Sequence, residues 1–130
     1  MRRHPSLRLL LALFTGVAAR ATALDLETAT IADLNAAMAK GTLTAEKLTQ
    51  AYLARIAAYD KQGPTINTVI VFNPKAVETA RALDAERKAG KVRGPLHGIP
   101  VVLKDNYDTA DMQTTAGSQL LEGWVPAKDA

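Results

Sequence analysis

Cysteine is absent from the 130-residue sequence, and histidine occurs only twice. The absence of cysteine excludes a disulfide framework, a thiolate nucleophile and a cysteine-ligated zinc site. Only one of the two histidines, His97, lies beyond the first 23 residues, which argues against a histidine-rich metal site. We therefore expect the protein to bind neither a metal nor a cofactor.

Acidic residues are missing from the first 23 positions, which carry four arginines: Arg2, Arg3, Arg8 and Arg20. These arginines account for more than the whole net charge of +3, so the remaining residues carry a net charge of −1. No basic patch interleaved with aromatic residues remains beyond them. The composition therefore argues against a nucleic-acid partner.

Long hydrophobic runs are also lacking. The apolar run at positions 9–19 has 11 residues, whereas a helix needs about 20 to cross a bilayer. Arginines precede this run, and small residues follow it, with Ala21-Thr22-Ala23 or Ala19-Arg20-Ala21 as the cleavage site. We predict a signal peptide over residues 1–23, export to the periplasm or the medium, and no stable membrane anchor. A Sec and a twin-arginine export route both stay open.

Three helices are predicted from apolar residues that recur at helical spacing between capping signals. They span residues 31–40, 44–61 and 73–89. The third helix is expected to begin with Asn73 as its cap and Pro74 at its first position. Charged residues cover one side of this helix, which indicates a solvated face.

Two β-prone runs accompany these helices, at residues 68–72 and 101–103. We predict an α/β fold in which N-terminal helices lead into part of a mixed sheet flanked by helices. Two strands and three helices cannot complete such a sheet, and apolar faces would stay in water. Residues 24–130 are therefore expected to be poorly folded alone.

The most distinctive stretch is Gly-Pro-Leu-His-Gly-Ile-Pro-Val-Val-Leu-Lys-Asp-Asn at positions 94–106. Its glycines and prolines define turns before the β-prone run, which ends at Lys104. The run would enclose the lysine stem in hydrocarbon, and burial favours the neutral amine that a base requires. Because side chains alternate along a strand, Asp105 is expected to face away from Lys104. The simpler alternative is a surface lysine in a salt bridge.

Residues 94–105, followed by Thr-Thr-Ala-Gly-Ser at 114–118, resemble the N-terminal part of the amidase signature family. Its members are serine hydrolases that cleave carboxamides with a Ser, cis-Ser and Lys triad. The resemblance extends from about Leu26 to the last residue. It implies that residues 24–130 are the N-terminal part of an amidase signature domain, truncated at the C-terminus and so incomplete, with Lys104 as the catalytic base. Both catalytic serines would lie in a Gly/Ser-rich segment that this sequence lacks.

The resemblance also implies a small-molecule amide as substrate, no cofactor, and no activity for the 130-residue chain alone. A homodimer stays open. The predicted signal peptide disfavours the family's transamidation subunit, whose substrate, misacylated tRNA, is cytosolic. A non-catalytic exported α/β domain, or a pseudoenzyme that keeps the scaffold, is the alternative function.

Three further residues are expected to line the region around Lys104: Thr115, Gly117 and Ser118. Ser118 does not lie in a G-x-S-x-G motif, so we predict that it caps a helix over residues 118–122 or makes a backbone hydrogen bond. A Ser-His-Asp set made of Ser118, His97 and Asp105 is disfavoured, because His97 lies in a turn.

Overall fold

The structure, a computed structural model, describes residues 24–130; the predicted signal peptide lies outside them. Within this range the chain forms helices α1 (Ile31–Ala39), α2 (Ala45–Tyr59) and α3 (Ala76–Lys88), and one 3-10 turn at Gln119–Leu121. The three helices predicted from sequence are confirmed, with ends within three residues of the predicted ones. The predicted start of the third helix is wrong, because Lys75 and not Asn73 is its N-cap, and Pro74 lies before it. In this part of the chain no helix has the length and hydropathy to cross a membrane.

Helix α1 begins with a reciprocal pair of hydrogen bonds. The Thr30 hydroxyl accepts from the backbone N–H of Asp33 (3.2 Å), and the Asp33 carboxylate accepts from the backbone N–H of Thr30 (3.0 Å). The Thr30 hydroxyl also donates to this carboxylate, and these bonds hold the pKa of Asp33 below its ordinary value. The backbone N–H groups of Thr30 and Asp33 are thereby bonded to side chains only three residues away in sequence.

Side chains from two parts of the chain cap the N-terminus of helix α2. The Thr44 hydroxyl accepts from the backbone N–H of Lys47 at 3.1 Å. The Asp84 carboxylate, on α3, accepts from the backbone N–H groups of Ala45 (2.8 Å) and Glu46 (3.0 Å). A carboxylate at a helix N-terminus is favourable because free amides and the positive end of the helix dipole meet it. Helix α3 therefore caps α2 as well as packing against it.

A small apolar core joins the three helices. Its buried members are Leu34, Met38, Ala45, Leu48 and Ala80. Leu48 is fully buried, and partly buried side chains including Tyr52 and Ile99 pack around this group. Through Ile99, the turn that precedes Lys104 is anchored to the helices.

The predicted mixed sheet is wrong for the residues that the structure describes, since no β-strand occurs among residues 24–130. The runs at 68–72 and 101–103 contain no turn or helix, but their backbone groups do not pair with one another. Most of their large apolar side chains are exposed, Val102 to 87%. A β-prone sequence becomes a strand only where a partner backbone supplies the ladder of hydrogen bonds, and the described residues supply none.

Candidate functional site

The turn that leads to Lys104 is fastened to α3 by a buried histidine. A ring nitrogen of His97, Nε2, lies 2.9 Å from the carbonyl oxygen of Leu83, and Nδ1 accepts from the backbone N–H of Arg93 at 3.3 Å. Arg87 donates in turn to the His97 carbonyl oxygen at 2.9 Å. A neutral imidazole with its proton on Nε2 satisfies both ring contacts. Both nitrogens are therefore occupied by structural bonds.

Gly98 lets the same turn approach the helices closely. Its φ of +79° is in the left-handed region, and a Cβ at this position would lie 2.9 Å from the Cβ of Ala45. Any larger residue would meet both backbone strain and a clash with α2. The glycine in this turn is required by geometry at the core, and it fixes where the following segment starts.

Lys104 lies on the rim of an open groove of about 1160 Å³. Parts of the segments at 68–71 and 98–106 form its sides, and α3 contributes residues including Ala80 and Leu83. Lys104 itself is exposed, as are the three apolar residues before it. The hydrocarbon enclosure expected around the lysine stem is therefore absent among residues 24–130.

Asp105 joins the Lys104 segment to the second motif, at 114–118. Its carboxylate accepts from the backbone N–H of Thr115 at 3.1 Å and from the Thr115 hydroxyl, and its carbonyl oxygen accepts from the backbone N–H of Ala116 at 2.7 Å. The Thr115 hydroxyl contributes most to holding the pKa of Asp105 below its ordinary value. We call these bonds the Asp105–Thr115 clasp.

The other predicted site residues, Gly117 and Ser118, are hydrogen-bonded to Thr115 as well. Gly117 donates its backbone N–H to the Thr115 hydroxyl at 3.2 Å, and Ser118 donates its own to the Thr115 carbonyl oxygen at 2.8 Å. Ser118 precedes the 3-10 turn without a side-chain capping bond, so the cap predicted for its hydroxyl is wrong, whereas the backbone bond is present. The structure thus gathers Thr115, Gly117 and Ser118 beside the turn that follows Lys104.

Asp60, which sequence reasoning did not identify, bonds to the segment at 68–71 that forms one side of the groove. Its side chain is buried and accepts from the hydroxyl of Thr68 (2.7 Å) and from the backbone N–H groups of Thr68 and Val69. Lys61 pairs with it at 3.0 Å. The only local signal for this contact is an aspartate directly after a helix, with a threonine eight residues later. Among residues 24–130, no cluster of three or more histidine or acidic side chains could hold a metal ion.

The chain belongs to the amidase family: the family model described as Amidase matches residues 47–130. Among curated proteins, one of the subunits of the glutamyl-tRNA(Gln) amidotransferase of Thermobifida fusca (strain YX) is 51% identical over 100 residues, which cover 76% of this chain and 20% of that protein. A putative amidase of Schizosaccharomyces pombe is 44% identical over 108 residues, covering 82% and 18% of the two chains.

Solved structures give the same result. The peptide amidase from Stenotrophomonas maltophilia superposes with a TM-score of 0.77 at 51% identity, covering 79% of this chain and 21% of that one. An amidase family protein from Bacillus anthracis gives a TM-score of 0.75 at 44% identity, covering 79% and 20%. The chain therefore spans about a fifth of the length of the relatives it matches.

Proposed function

We propose that the protein containing this sequence hydrolyses carboxamide bonds and that Lys104 is its base. The observation that carries this proposal is the position of Lys104 in a chain of the amidase family. It lies on the rim of an open groove, immediately before a turn whose direction is fixed by the Asp105–Thr115 clasp. A base needs this kind of fixed placement, because proton transfer requires hydrogen-bonding distance.

In the proposed reaction, the neutral amine of Lys104 takes a proton, through a bridging serine, from a second serine hydroxyl. That oxygen then attacks the amide carbonyl carbon, the amine product leaves with a proton, and water releases the acyl group. Ser6 and Ser118 are the two serines of this sequence, and neither lies in a Gly/Ser-rich segment. We therefore propose that both reacting serines come from outside these 130 residues, and that the 130-residue chain alone is inactive.

Exposure of Lys104 supports the second candidate, a non-catalytic domain that keeps the amidase scaffold. The exposed lysine stem lacks the apolar surroundings that would favour the neutral amine a base requires. The catalytic proposal therefore requires further polypeptide to cover the groove and enclose the lysine stem. The two candidates differ in whether the longest natural polypeptide that contains this sequence releases amine from an amide.

The test compares Lys104→Ala with Lys91→Ala in that polypeptide, assayed for ammonia released from a panel of aliphatic, aryl and peptide amides. Lys91 is an exposed lysine that does not line the groove, which makes it a matched control. Loss of the base should lower turnover by at least about 100-fold, whereas the control should keep it. Turnover by the Lys104→Ala variant at the unsubstituted rate would refute the catalytic role.

The substrate class proposed is a small-molecule amide. The relatives divide on this point, since one belongs to a tRNA amidotransferase and another is a peptide amidase, and each is 51% identical to this chain. Sequence identity therefore does not choose between these two kinds of relative, and the choice depends on the predicted signal peptide. We propose an exported protein, tested by mass spectrometry of its mature N-terminus: a start near Leu24 supports export, and an intact Arg2 contradicts it.

A further inference from the structure

Lysine and aspartate are adjacent at three places in the chain, at residues 60–61, 104–105 and 128–129, and in the described part of the chain only the first of these pairs forms an ion pair. In the first, Asp60 and Lys61 form an ion pair at 3.0 Å. In the second, Lys104 and Asp105, no ion pair forms within 4.0 Å in the described part of the chain. Adjacency in sequence therefore permits such a pair without requiring it.

The Asp105–Thr115 clasp occupies both carboxylate oxygens of Asp105, whereas Thr68 bonds only one oxygen of Asp60 and leaves the other to pair with Lys61. The Asp105 carboxylate accepts from both the hydroxyl and the backbone N–H of Thr115, which is buried with 9% of its surface exposed. The backbone of Asp105 is fixed as well, by the bond from Ala116. A carboxylate bonded in this way has its negative charge compensated without the lysine.

We propose that Asp105 and Thr115 are positioning residues for Lys104: their clasp keeps the carboxylate on the Thr115 side of the turn and away from the amine. This inference rests on the proposed function, since it matters only where Lys104 must lose its proton. A carboxylate released by loss of the clasp would lie one residue from the ammonium group and would stabilise its charge. The clasp thus preserves the neutral form of the base.

Other ionisable groups also line this groove, and the test has to separate them from Asp105. They are Tyr107, Asp108, Asp111 and Asp129. Two of these carboxylates have partners away from Lys104: Asp111 accepts from Asn73 at 3.0 Å, and Asp129 accepts from the backbone N–H of Ala110 at 2.9 Å. The substitution of Asp105 itself therefore decides which carboxylate acts.

The experiment measures kcat and KM against pH for amide hydrolysis by the longest natural polypeptide that contains this sequence. Thr115→Val removes the hydroxyl and should move the acid limb of the kcat profile up by about one pH unit, lowering kcat below that limb about tenfold. KM should stay within about threefold, because substrate contacts are unchanged. Thr115→Ser keeps the hydroxyl and should restore the unsubstituted profile.

Two further variants distinguish this role from a purely structural one. Thr114→Val is the matched control: Thr114 is also buried, but its hydroxyl donates to the carbonyl oxygen of Tyr107 at 3.1 Å, so the acid limb should not move. Adding Asp105→Asn to Thr115→Val removes the released charge, so the acid limb should return toward its unsubstituted position. Thr115→Ala, a smaller side chain, gives the same test if valine disturbs folding.

The proposal is overturned if the Thr115 variants keep the unsubstituted profile, if Thr114→Val moves the acid limb equally, or if Asp105→Asn gives no recovery. These results differ from failure of the proposed function, which is marked by full turnover in Lys104→Ala. An inactive Lys104→Ala variant together with an unaltered Thr115→Val profile would remove this inference alone.

Discussion

Single carboxylates order the segments of this chain that have no regular structure, and Asp60 is the clearest example. Its partners hold the pKa of Asp60 well below the ordinary value of 3.8; the Thr68 hydroxyl contributes most, and burial opposes it. Because the folded pKa lies below the unfolded one, the stabilisation from these bonds is complete above the unfolded pKa. It is lost as the pH falls through the folded pKa.

Asp60→Asn tests this directly. In the unsubstituted chain, the amide resonances of Thr68 and Val69 should keep their positions from pH 7 to about pH 4 and shift only in stronger acid. The variant should show shifted resonances at all pH values and no acid transition, as measured by NMR titration. Asp25→Asn is the control, since Asp25 is exposed and distant in sequence, and it should leave the Thr68 titration unaltered. A Thr68 transition centred near the ordinary value of 3.8 would contradict the prediction.

At the scale of elements, the N-terminal ends of α1 and α2 are held by contacts of different range. Helix α1 is capped from within three residues, whereas α2 also depends on Asp84 of α3, 39 residues away from Ala45. An exposed ion pair between Arg81 and Glu46 joins the same two helices at 2.8 Å. Surface pairs of this kind contribute little, so the Asp84 cap is expected to be the more important link.

Substitution of Asp84 by alanine should therefore expose the first turn of α2. Hydrogen exchange at the amides of Ala45 and Glu46 should accelerate about tenfold, the usual effect of losing a capping side chain. Lys88→Ala, an exposed position one turn further along α3, should leave both amides unchanged. Equal protection in the Asp84 and Lys88 variants would show that the cap has no effect.

Features set by residues close in sequence could be predicted, whereas most features set by distant residues could not. The helices were predictable because Thr30 and Thr44 cap them locally and apolar residues recur within each one. The sheet was not, because residues 68–72 and 101–103 need a partner backbone that sequence pattern does not identify. Asp84 was interpreted as part of a solvated helix face, although it caps α2. Thr115 and Gly117 were predicted to line the region around Lys104; in the structure Thr115 bonds to Asp105 and Gly117 lines the groove, whereas the enclosure of Lys104 was not found.

For the whole molecule, the decisive feature is apolar surface beside the groove. Exposed side chains there include Ile70, Val71, Val101, Val102 and Leu103. Soluble monomers rarely expose a contiguous apolar patch of this kind unless it contacts something else. The buried core is small by comparison, since it has only five apolar members among residues 24–130.

A polypeptide of residues 24–130 should therefore bind a hydrophobic dye and unfold with weak cooperativity. Calorimetry should give an unfolding enthalpy below the roughly 70 kcal/mol typical of a 100-residue domain. Val102→Thr should reduce dye fluorescence, whereas Val92→Thr, at an exposed site that does not line the groove, should change it less. A single sharp transition with full enthalpy would contradict this expectation.

The long-range cap has a consequence for synthesis. A ribosome adds Ala45 to the chain before Asp84, so the first turn of α2 is made before its carboxylate partner. During translation of the intervening 38 residues, that turn has only the Thr44 side of its cap. The N-terminal turn of this helix becomes fully capped only when the nascent chain has extended through α3.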